Sequence, residues 1–207
     1  MQKNENILII GNGRLLKLAT EIANEFSNFN TLQLSINKSE YFSFAIESLK
    51  YFPKEQWLIV IAIDDHAINY SRKSLFTKLA LYGYKFHNLI SKSCFISKSV
   101  KLMPGLIVCP GVTISSNCSI GIGCILEYNS FIDSDTKIQN FSYIKTNAKI
   151  GRNTIINSGT TIGENVSIGN GINIGKHCEL LLISNYKDDI PDRMYFDSSF
   201  PNGMIIR

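Results

Sequence analysis

The sequence lacks the features that mark several common classes of protein. No apolar run reaches the length needed to span a membrane. The amino-terminal apolar segment is short and has no small-residue cleavage site, so it is not a secretory signal. None of the five cysteines forms a CxxC pair, which argues against a zinc site, and the thiols do not suggest a disulfide framework. We therefore expect a cytoplasmic protein with no membrane span and no metal.

Clustered positive charge is also missing. The chain of 207 residues has a net charge of +4, and its basic residues are scattered rather than gathered in a patch. Nucleic-acid binding usually needs such a patch, so we predict no nucleic-acid partner. A mildly positive net charge is compatible with binding of anionic small molecules such as nucleotides and coenzyme A, and it is equally compatible with an ordinary soluble surface.

The sequence has instead a long repeat. An aliphatic residue falls on every sixth position from Ile90 to Leu180 without one exception. Neither regular element accounts for this period, because helices repeat every ~3.6 residues and strands every ~2. A six-residue period is typical of a β-solenoid, in which short strands wind around a prism and stack coil upon coil. Three hexads per turn would give about five coils.

A second inward position is predicted two residues before each aliphatic residue. Apart from Leu106, it holds small or branched side chains: Cys94, Val100, Val112, Cys118, Cys124, Ser130, Thr136, Ser142, Ala148, Thr154, Thr160, Val166, Ile172 and Cys178. Cysteine serves here as a compact hydrophobe. Glycine recurs directly after the aliphatic residue, at Gly121, Gly151, Gly163, Gly169 and Gly175. This recurrence predicts a tight corner with an unusual φ at that position.

The residues before the repeat have the pattern of a small α/β unit. Ile7 to Ile10 form an apolar run, Gly11 to Arg14 a glycine turn, and Leu15 to Phe26 carry apolar residues at helical spacing. The other predicted elements are a strand over Thr31 to Ile36, a buried strand over Trp57 to Ile63 and a helix from about Ala67 to Tyr82. This order predicts a Rossmann-like βαβ arrangement.

The carboxyl ends of these strands are the predicted ligand site. Ligands of such sheets bind beyond the strand ends, and helix N-termini favour phosphates. Leu16 replaces the third glycine of a full GxGxxG motif, so the segment also fits an ordinary tight turn with a solvated Arg14. The candidate substrate-binding residues are Gly11, Asn12, Gly13, Arg14, Asp64 and Asp65.

The order of the two parts resembles a known family. An α/β unit followed by an uninterrupted hexapeptide solenoid, with the segments 11–17, 62–65, 88–90 and 189–196, is similar to bacterial nucleotide-sugar acyltransferases. The resemblance is to the bacillosamine and perosamine N-acetyltransferase type and to the sialic acid O-acetyltransferases, and it covers nearly the whole chain. It implies a Rossmann-like nucleotide-sugar-binding domain (residues 1–87), a left-handed parallel β-helix (residues 88–183) and a carboxyl-terminal tail (residues 184–207).

What the resemblance implies for function is acyl transfer in a homotrimer. The amino-terminal domain would hold the nucleotide of an amino sugar, and acetyl-CoA or another acyl-CoA would lie between neighbouring solenoids. The product would serve bacterial surface glycan such as O-antigen. The candidates to border CoA are Arg152, Asn170 and Lys176, of which the first two stack one and two coils beyond Ser134 of the catalytic hexad. All three residues also fit ordinary solvated corner positions.

The catalytic hexad departs from the family. There a histidine flanked by carboxylates stands two residues after an aliphatic position. The matching residues here are Asp133, Ser134 and Asp135, with Ser134 in place of the histidine. Tyr143 replaces a second histidine found in some members. No histidine is expected beside Ser134; the chain has His66, His87 and His177.

Three interpretations of this hexad remain open. In the first, the enzyme acts without a histidine: an amine with a pKa near ~8 is partly neutral at pH 7, and Asp133 or Asp135 could orient it or take its proton. A hydroxyl acceptor would suffer more from the missing base, so N-acylation is favoured over O-acylation. In the second, a base comes from a neighbouring subunit or from the sugar. In the third, the chain is a catalytically inactive solenoid that binds a nucleotide sugar or a partner.

Exchange of Ser134 for histidine tests the first interpretation. Ser134→His is expected to keep or raise activity, because it supplies the base that the family uses. Asp133→Asn is expected to impair activity if that carboxylate handles the proton. Initial rates of CoA release from acetyl-CoA measure both effects, and unchanged rates in both variants would remove this hexad from the mechanism.

Overall fold

The computed structural model describes residues 5–36, 38–40, 43–44, 47–64 and 69–206. Its amino-terminal elements are, in chain order, β1 (Glu5–Gly11), α1 (Gly13–Ala23), β2 (Phe29–Ser35), β3 (Lys38–Glu40), β4 (Ser43–Phe44), a 3-10 helix (Glu47–Tyr51), β5 (Leu58–Ala62), α2 (Tyr70–Leu81) and β6 (Lys85–Phe86). The predicted order of strand, glycine turn and helix is confirmed. The predicted start of the second helix falls among residues 65–68, which lie outside the described residues.

A four-stranded parallel sheet forms the centre of this part, in the order β2-β1-β5-β6. One face of β1 and β5 packs against the buried apolar stripe of α1, and the other packs against α2. Both strands are runs of aliphatic residues because strands covered on both faces need apolar side chains on both. The carboxyl ends of β1 and β5 therefore lie side by side at one edge of the sheet.

The rest of the chain is a parallel β-helix built from two-residue strands. They are β7 (Leu89–Ile90), β8 (Phe95–Ile96), β9 (Lys101–Leu102), β10 (Ile107–Val108), β11 (Thr113–Ile114), β12 (Ser119–Ile120), β13 (Ile125–Leu126), β14 (Phe131–Ile132), β15 (Lys137–Ile138), β16 (Tyr143–Ile144), β17 (Lys149–Ile150), β18 (Ile155–Ile156), β19 (Thr161–Ile162), β20 (Ser167–Ile168), β21 (Asn173–Ile174), β22 (Glu179–Leu180) and β23 (Asn185–Tyr186). Near the end of the chain, β24 (Met194–Phe196) pairs with β22, and β25 (Met204–Ile205) pairs with β24.

The strands of the β-helix form three faces. Face 1 contains β7, β10, β13, β16, β19 and β22, face 2 contains β8, β11, β14, β17, β20 and β23, and face 3 contains β9, β12, β15, β18 and β21. Each corner is named by the faces that it joins: residues 127–130 form corner 1/2, residues 133–136 form corner 2/3 and residues 139–142 form corner 3/1. The same corners recur in each coil. The predicted hexapeptide-repeat β-helix is confirmed.

Both inward positions fill the interior of the prism. Every side chain at the aliphatic position from Val108 to Leu180 is buried. At the second position, most hydroxyl and thiol groups donate to carbonyls of the next coil, as Thr136 does to Gly151 at 2.9 Å and Cys118 does to Asp133 at 3.0 Å. Small polar residues therefore suit this position because they fit the corner and also supply a donor.

The prediction of an unusual φ at the glycines directly after the aliphatic residue is wrong. The left-handed positions come two residues later, and most of them hold Asn or Gly, as at Asn153 with φ 54° and Gly171 with φ 71°. A Cβ on Gly151 would lie 2.7 Å from the backbone of Gly169 in the next coil. Glycine is therefore required at position 151 because the next coil approaches it closely.

These two kinds of corner glycine are expected to respond differently to substitution. Gly151→Ala places a methyl group against the next coil, so it should lower the free energy of unfolding by about 1–3 kcal/mol. Gly171→Asn places, at an open left-handed position, a residue that adopts this conformation elsewhere in the solenoid. The free energy of unfolding should therefore change by less than ~1 kcal/mol. Urea unfolding measures both variants, and a larger loss in Gly171→Asn would contradict this distinction.

Candidate functional site

The amino-terminal part packs directly on face 1 of the β-helix. The outward side chains Leu89, Ile107, Ile125 and Tyr143 of this face are buried and form one hydrophobic cluster with α1 and the sheet. The outward side chains of face 2 are half-buried or exposed. The two parts of the chain therefore share a core, and the strand ends of the sheet face one corner of the solenoid.

Two buried polar side chains fix this packing at corner 3/1. Arg72 on α2 donates to the carbonyls of Gly123 at 3.0 Å and Phe141 at 2.9 Å, which occupy this corner in successive coils. Asn69 donates to the carbonyl of Gly159, one coil further, at 3.1 Å. Both side chains are almost completely buried, so their loss would leave buried carbonyls without donors.

The glycine turn lies where β1 and β5 end. A Cβ on Gly11 would lie 1.9 Å from the carbonyl oxygen of Ala62, so only glycine fits between the strands. The backbone N–H of Asn12 donates to that oxygen at 3.3 Å, and the side-chain NH₂ group of Asn12 donates to the carbonyl of Ile36 at 3.5 Å. Gly13 begins α1 with φ 59° and has open space around its Cβ position. The start of α1, whose first amides have no partner inside the helix, is therefore accessible to a ligand.

A cluster of charged and polar side chains joins this turn to corner 1/2. Nη2 of Arg14 donates to Glu127, lies 3.3 Å from the hydroxyl of Tyr143 and lies 3.9 Å from Oδ1 of Asp64. The Tyr143 hydroxyl donates to Glu127 and is also 3.3 Å from Asp64. The structure thus brings the glycine turn and Asp64 together, whereas Asp65 lies outside the described residues.

The carboxylate of Glu127 is the buried centre of this cluster. Its exposed fraction is 0%, and its Oε2 accepts from the amide and the hydroxyl of Thr146 at 3.3 and 3.0 Å. The hydrogen bond to Glu127 raises the pKa of Arg14 above its ordinary value, so Arg14 stays charged. Burial, and next the charge of Glu127, raises the pKa of Tyr143 well above its usual range, so the phenol keeps its proton.

Sequence reasoning missed Glu127 and Thr146. Glu127 follows the aliphatic Leu126 at an outward corner position, where a polar side chain is ordinarily solvated. The amino-terminal part buries it. The available signal was the apolar character of the outward residues Ile107 and Ile125 on face 1, because it indicates that this face is covered, and Glu127 follows directly after it.

The predicted catalytic residues lie on another corner. Asp133, Ser134 and Asp135 form corner 2/3, which stands opposite face 1 on the prism. The Ser134 amide donates to the Asp133 carboxylate at 2.7 Å. Asn117 donates to Asp135 at 3.2 Å, and Asp135 has a left-handed φ of 59°. Within one chain, the width of face 2 separates this corner from the glycine turn.

Two of the predicted cofactor residues share corner 2/3. Arg152 and Asn170 follow Ser134 in the next two coils, linked by backbone hydrogen bonds from coil to coil. The Arg152 amide donates to the side-chain oxygen of Asn170 at 3.1 Å, and the Arg152 side chain is exposed. Their contact with CoA stays a prediction.

The third predicted cofactor residue, Lys176, lies on corner 3/1 beside His177. The His177 ring stacks on Tyr70 with ring centroids 4.9 Å apart, and burial lowers the pKa of this histidine. A cavity of about 90 Å³ between these rings and Asn69 is too small for a nucleotide or a CoA arm. The three predicted cofactor residues therefore lie at two corners, at opposite edges of face 3.

The described residues also bear on metals, thiols and membranes. No group of three or more His, Cys, Asp or Glu side chains among them is placed to hold a metal ion. All five cysteines are unpaired thiols. None of the helices in the described part of the chain combines the length and the hydropathy needed to cross a bilayer.

Solved structures are similar to the chain over nearly its whole length. The family model described as bacterial transferase hexapeptide (six repeats) matches residues 129–164. No curated protein sequence matches the chain significantly. Among solved structures, the acetyltransferase domain of PglB from Neisseria gonorrhoeae FA1090 is similar with a TM-score of 0.84 and 20% identity, covering 98% of this chain and 100% of that one.

Two further solved structures are similar along both parts of the chain. A histidine-to-alanine variant of GDP-perosamine N-acetyltransferase from Caulobacter crescentus, in complex with CoA and GDP-perosamine, has a TM-score of 0.84 and 20% identity, covering 98% of this chain and 97% of that one. WeeI from Acinetobacter baumannii AYE has a TM-score of 0.57 and 18% identity, covering 97% and 100%. At this level of identity, the matches establish the fold.

Arg72 is expected to hold the two parts of the chain together. Arg72→Leu removes the donors to three carbonyls, so it should lower the free energy of unfolding by about 2 kcal/mol or more. Lys78→Leu, an exposed change on the same helix, is the matched control and should alter it by less than ~0.5 kcal/mol. Urea unfolding followed by circular dichroism measures both, and equal losses would contradict this role of Arg72.

Proposed function

We propose that the protein is an acyl-CoA-dependent N-acyltransferase that acts on a nucleotide-linked amino sugar, with acetyl as the acyl group. The observation that supports this most is that both parts of the chain, in one arrangement, are similar to an acetyltransferase domain and to a nucleotide-sugar N-acetyltransferase. The second of these holds CoA and GDP-perosamine. The proposed setting is the cytoplasm, and the proposed product serves bacterial surface glycan.

The nucleotide would bind at the carboxyl ends of β1 and β5. The amides at the start of α1 and the exposed guanidinium of Arg14 offer hydrogen bonds and positive charge to a diphosphate. The open space around Gly13 allows the phosphates to approach the backbone closely. Asp64, whose side chain is 39% exposed, and Asp65 are proposed to accept hydrogen bonds from the sugar or the base.

Acyl transfer would take place at corner 2/3. The lone pair of the neutral amine attacks the thioester carbonyl carbon, the C–S bond breaks, and the amine loses a proton while CoA leaves as a thiol. The Ser134 amide holds the Asp133 carboxylate at the corner, where with Asp135 it is proposed to orient the amine. A hydroxyl acceptor would lose about 10²–10⁴-fold without a general base, which favours N-acylation.

A homotrimer is proposed because a single chain does not complete this site. The crevice at corner 1/2 and the hexad at corner 2/3 lie at opposite edges of face 2. Face 2 exposes Phe95 and Phe131 to 64% and 38%, and exposed aromatic residues on one face favour association. A neighbouring solenoid beside this face would bring the crevice of one chain toward the hexad of the next. Arg152, Asn170 and Lys176 are then proposed to border CoA from two chains.

Binding without catalysis is the second candidate function. It is favoured by Ser134, which stands where the resembled family has its histidine. The solved GDP-perosamine N-acetyltransferase holds CoA and GDP-perosamine with one histidine replaced by alanine, so both ligands bind in that protein without that histidine. A chain with Ser134 can therefore be compared with a ligand-binding variant as well as with an active enzyme.

An assay of thiol release separates the two functions. The protein, incubated with acetyl-CoA and 4-amino sugars linked to uridine, thymidine or guanosine diphosphate, is expected to release CoA only when an amino sugar is present. Nucleotide sugars with a hydroxyl at the same carbon are the matched control, and release with them would indicate O-acylation instead. Binding of a nucleotide-linked amino sugar, measured by calorimetry, without any release of CoA would contradict the proposal that the protein is an enzyme.

A further inference from the structure

Corner 1/2 contains a buried carboxylate that acyl transfer does not use. Oε1 of Glu127 accepts from Arg14 and Tyr143, and Oε2 accepts from the amide and hydroxyl of Thr146. A carboxylate has about four lone-pair sites, so these four donors occupy its acceptor capacity. Because its exposed fraction is 0%, Glu127 does not reach a substrate. Any effect of Glu127 on a ligand must pass through its neighbours.

Arg14 is the neighbour that reaches the crevice. Its guanidinium contacts Glu127, Tyr143 and Asp64 through the same nitrogen, Nη2. A guanidinium has about five N–H donors in a rigid plane, so the donors on Nε and Nη1 stand outside these contacts. The side chain is 57% exposed and belongs to the first turn of α1, beside the helix amides that favour phosphate.

We propose that Glu127 is a positioning residue for nucleotide recognition: it fixes the guanidinium of Arg14 so that the remaining donors are presented to the phosphates. This inference rests on the proposed function, since it requires a nucleotide at the glycine turn. A solvated arginine loses side-chain freedom when it binds a ligand, and a contact that orders it beforehand spares that loss. Tyr143 and Thr146 complete the arrangement from the β-helix, so nucleotide affinity depends on both parts of the chain.

Calorimetric binding of UDP, GDP and dTDP to the full chain tests this role. The wild-type chain is expected to bind at least one of them. For that nucleotide, Glu127→Gln should raise Kd about 3–10-fold, and Arg14→Gln should raise it about 10–100-fold. Glu164→Gln changes an exposed carboxylate on the same corner and should leave Kd unchanged. The Kd of acetyl-CoA should stay the same in every variant, whereas a general loss of structure would raise it.

A double variant shows whether Glu127 acts through Arg14. In the Arg14→Gln background, Glu127→Gln should cause no further rise in Kd, because no guanidinium remains to be positioned. An equal rise in both backgrounds would overturn the proposal. Glu127→Asp keeps the charge on a shorter side chain and should give a smaller rise than Glu127→Gln, so it provides the test if Glu127→Gln does not fold.

The binding experiment also separates this inference from the function on which it rests. Failure of the wild-type chain to bind any of the three nucleotides would overturn the nucleotide site and, with it, the positioning role. Wild-type binding with an unchanged Kd in Glu127→Gln and Glu127→Asp would overturn the positioning role alone.

Discussion

The parallel pairing of each strand with the one a full coil further along is the constraint on which the rest of the structure depends. Ile107 pairs with Ile125, and Ile125 pairs with Tyr143, so residues that share a position in successive coils lie directly above one another. Two-residue strands cannot be stable alone, and each coil is held by its neighbours and by the aliphatic column inside. This register decides which side chains share a face or a corner.

The amino-terminal part binds to groups that repeat from coil to coil. Since corner carbonyls repeat from coil to coil, Arg72 and Asn69 reach three of them in a row at corner 3/1. At the other edge of face 1, Arg14 meets the buried Glu127. The α/β part is therefore held at both edges of the face that it covers, over a shared apolar core, and the crevice is formed before a ligand binds.

The same geometry separates the proposed nucleotide site from the proposed site of acyl transfer. The glycine turn and Asp64, expected from the rule that ligands bind beyond strand ends, do lie together, because parallel strands end at the same edge of a sheet. The hexad around Ser134 lies across face 2 from them. Its distance from the crevice could not be read from the sequence, because the hexad pattern does not show which face the amino-terminal part covers. A proposed neighbouring chain would unite the two.

The sequence by itself determined the β-helix, its two inward positions and the α/β unit, because period, side-chain size and the order of strand, turn and helix are local properties. It placed the left-handed corners at the wrong glycines, since a glycine required by a close backbone and one required by φ look alike in a sequence. Only the tertiary structure decided that Glu127 is buried and that Arg14 is paired. These residues are 113 positions apart, and the contact between them exists only because the α/β part lies on face 1.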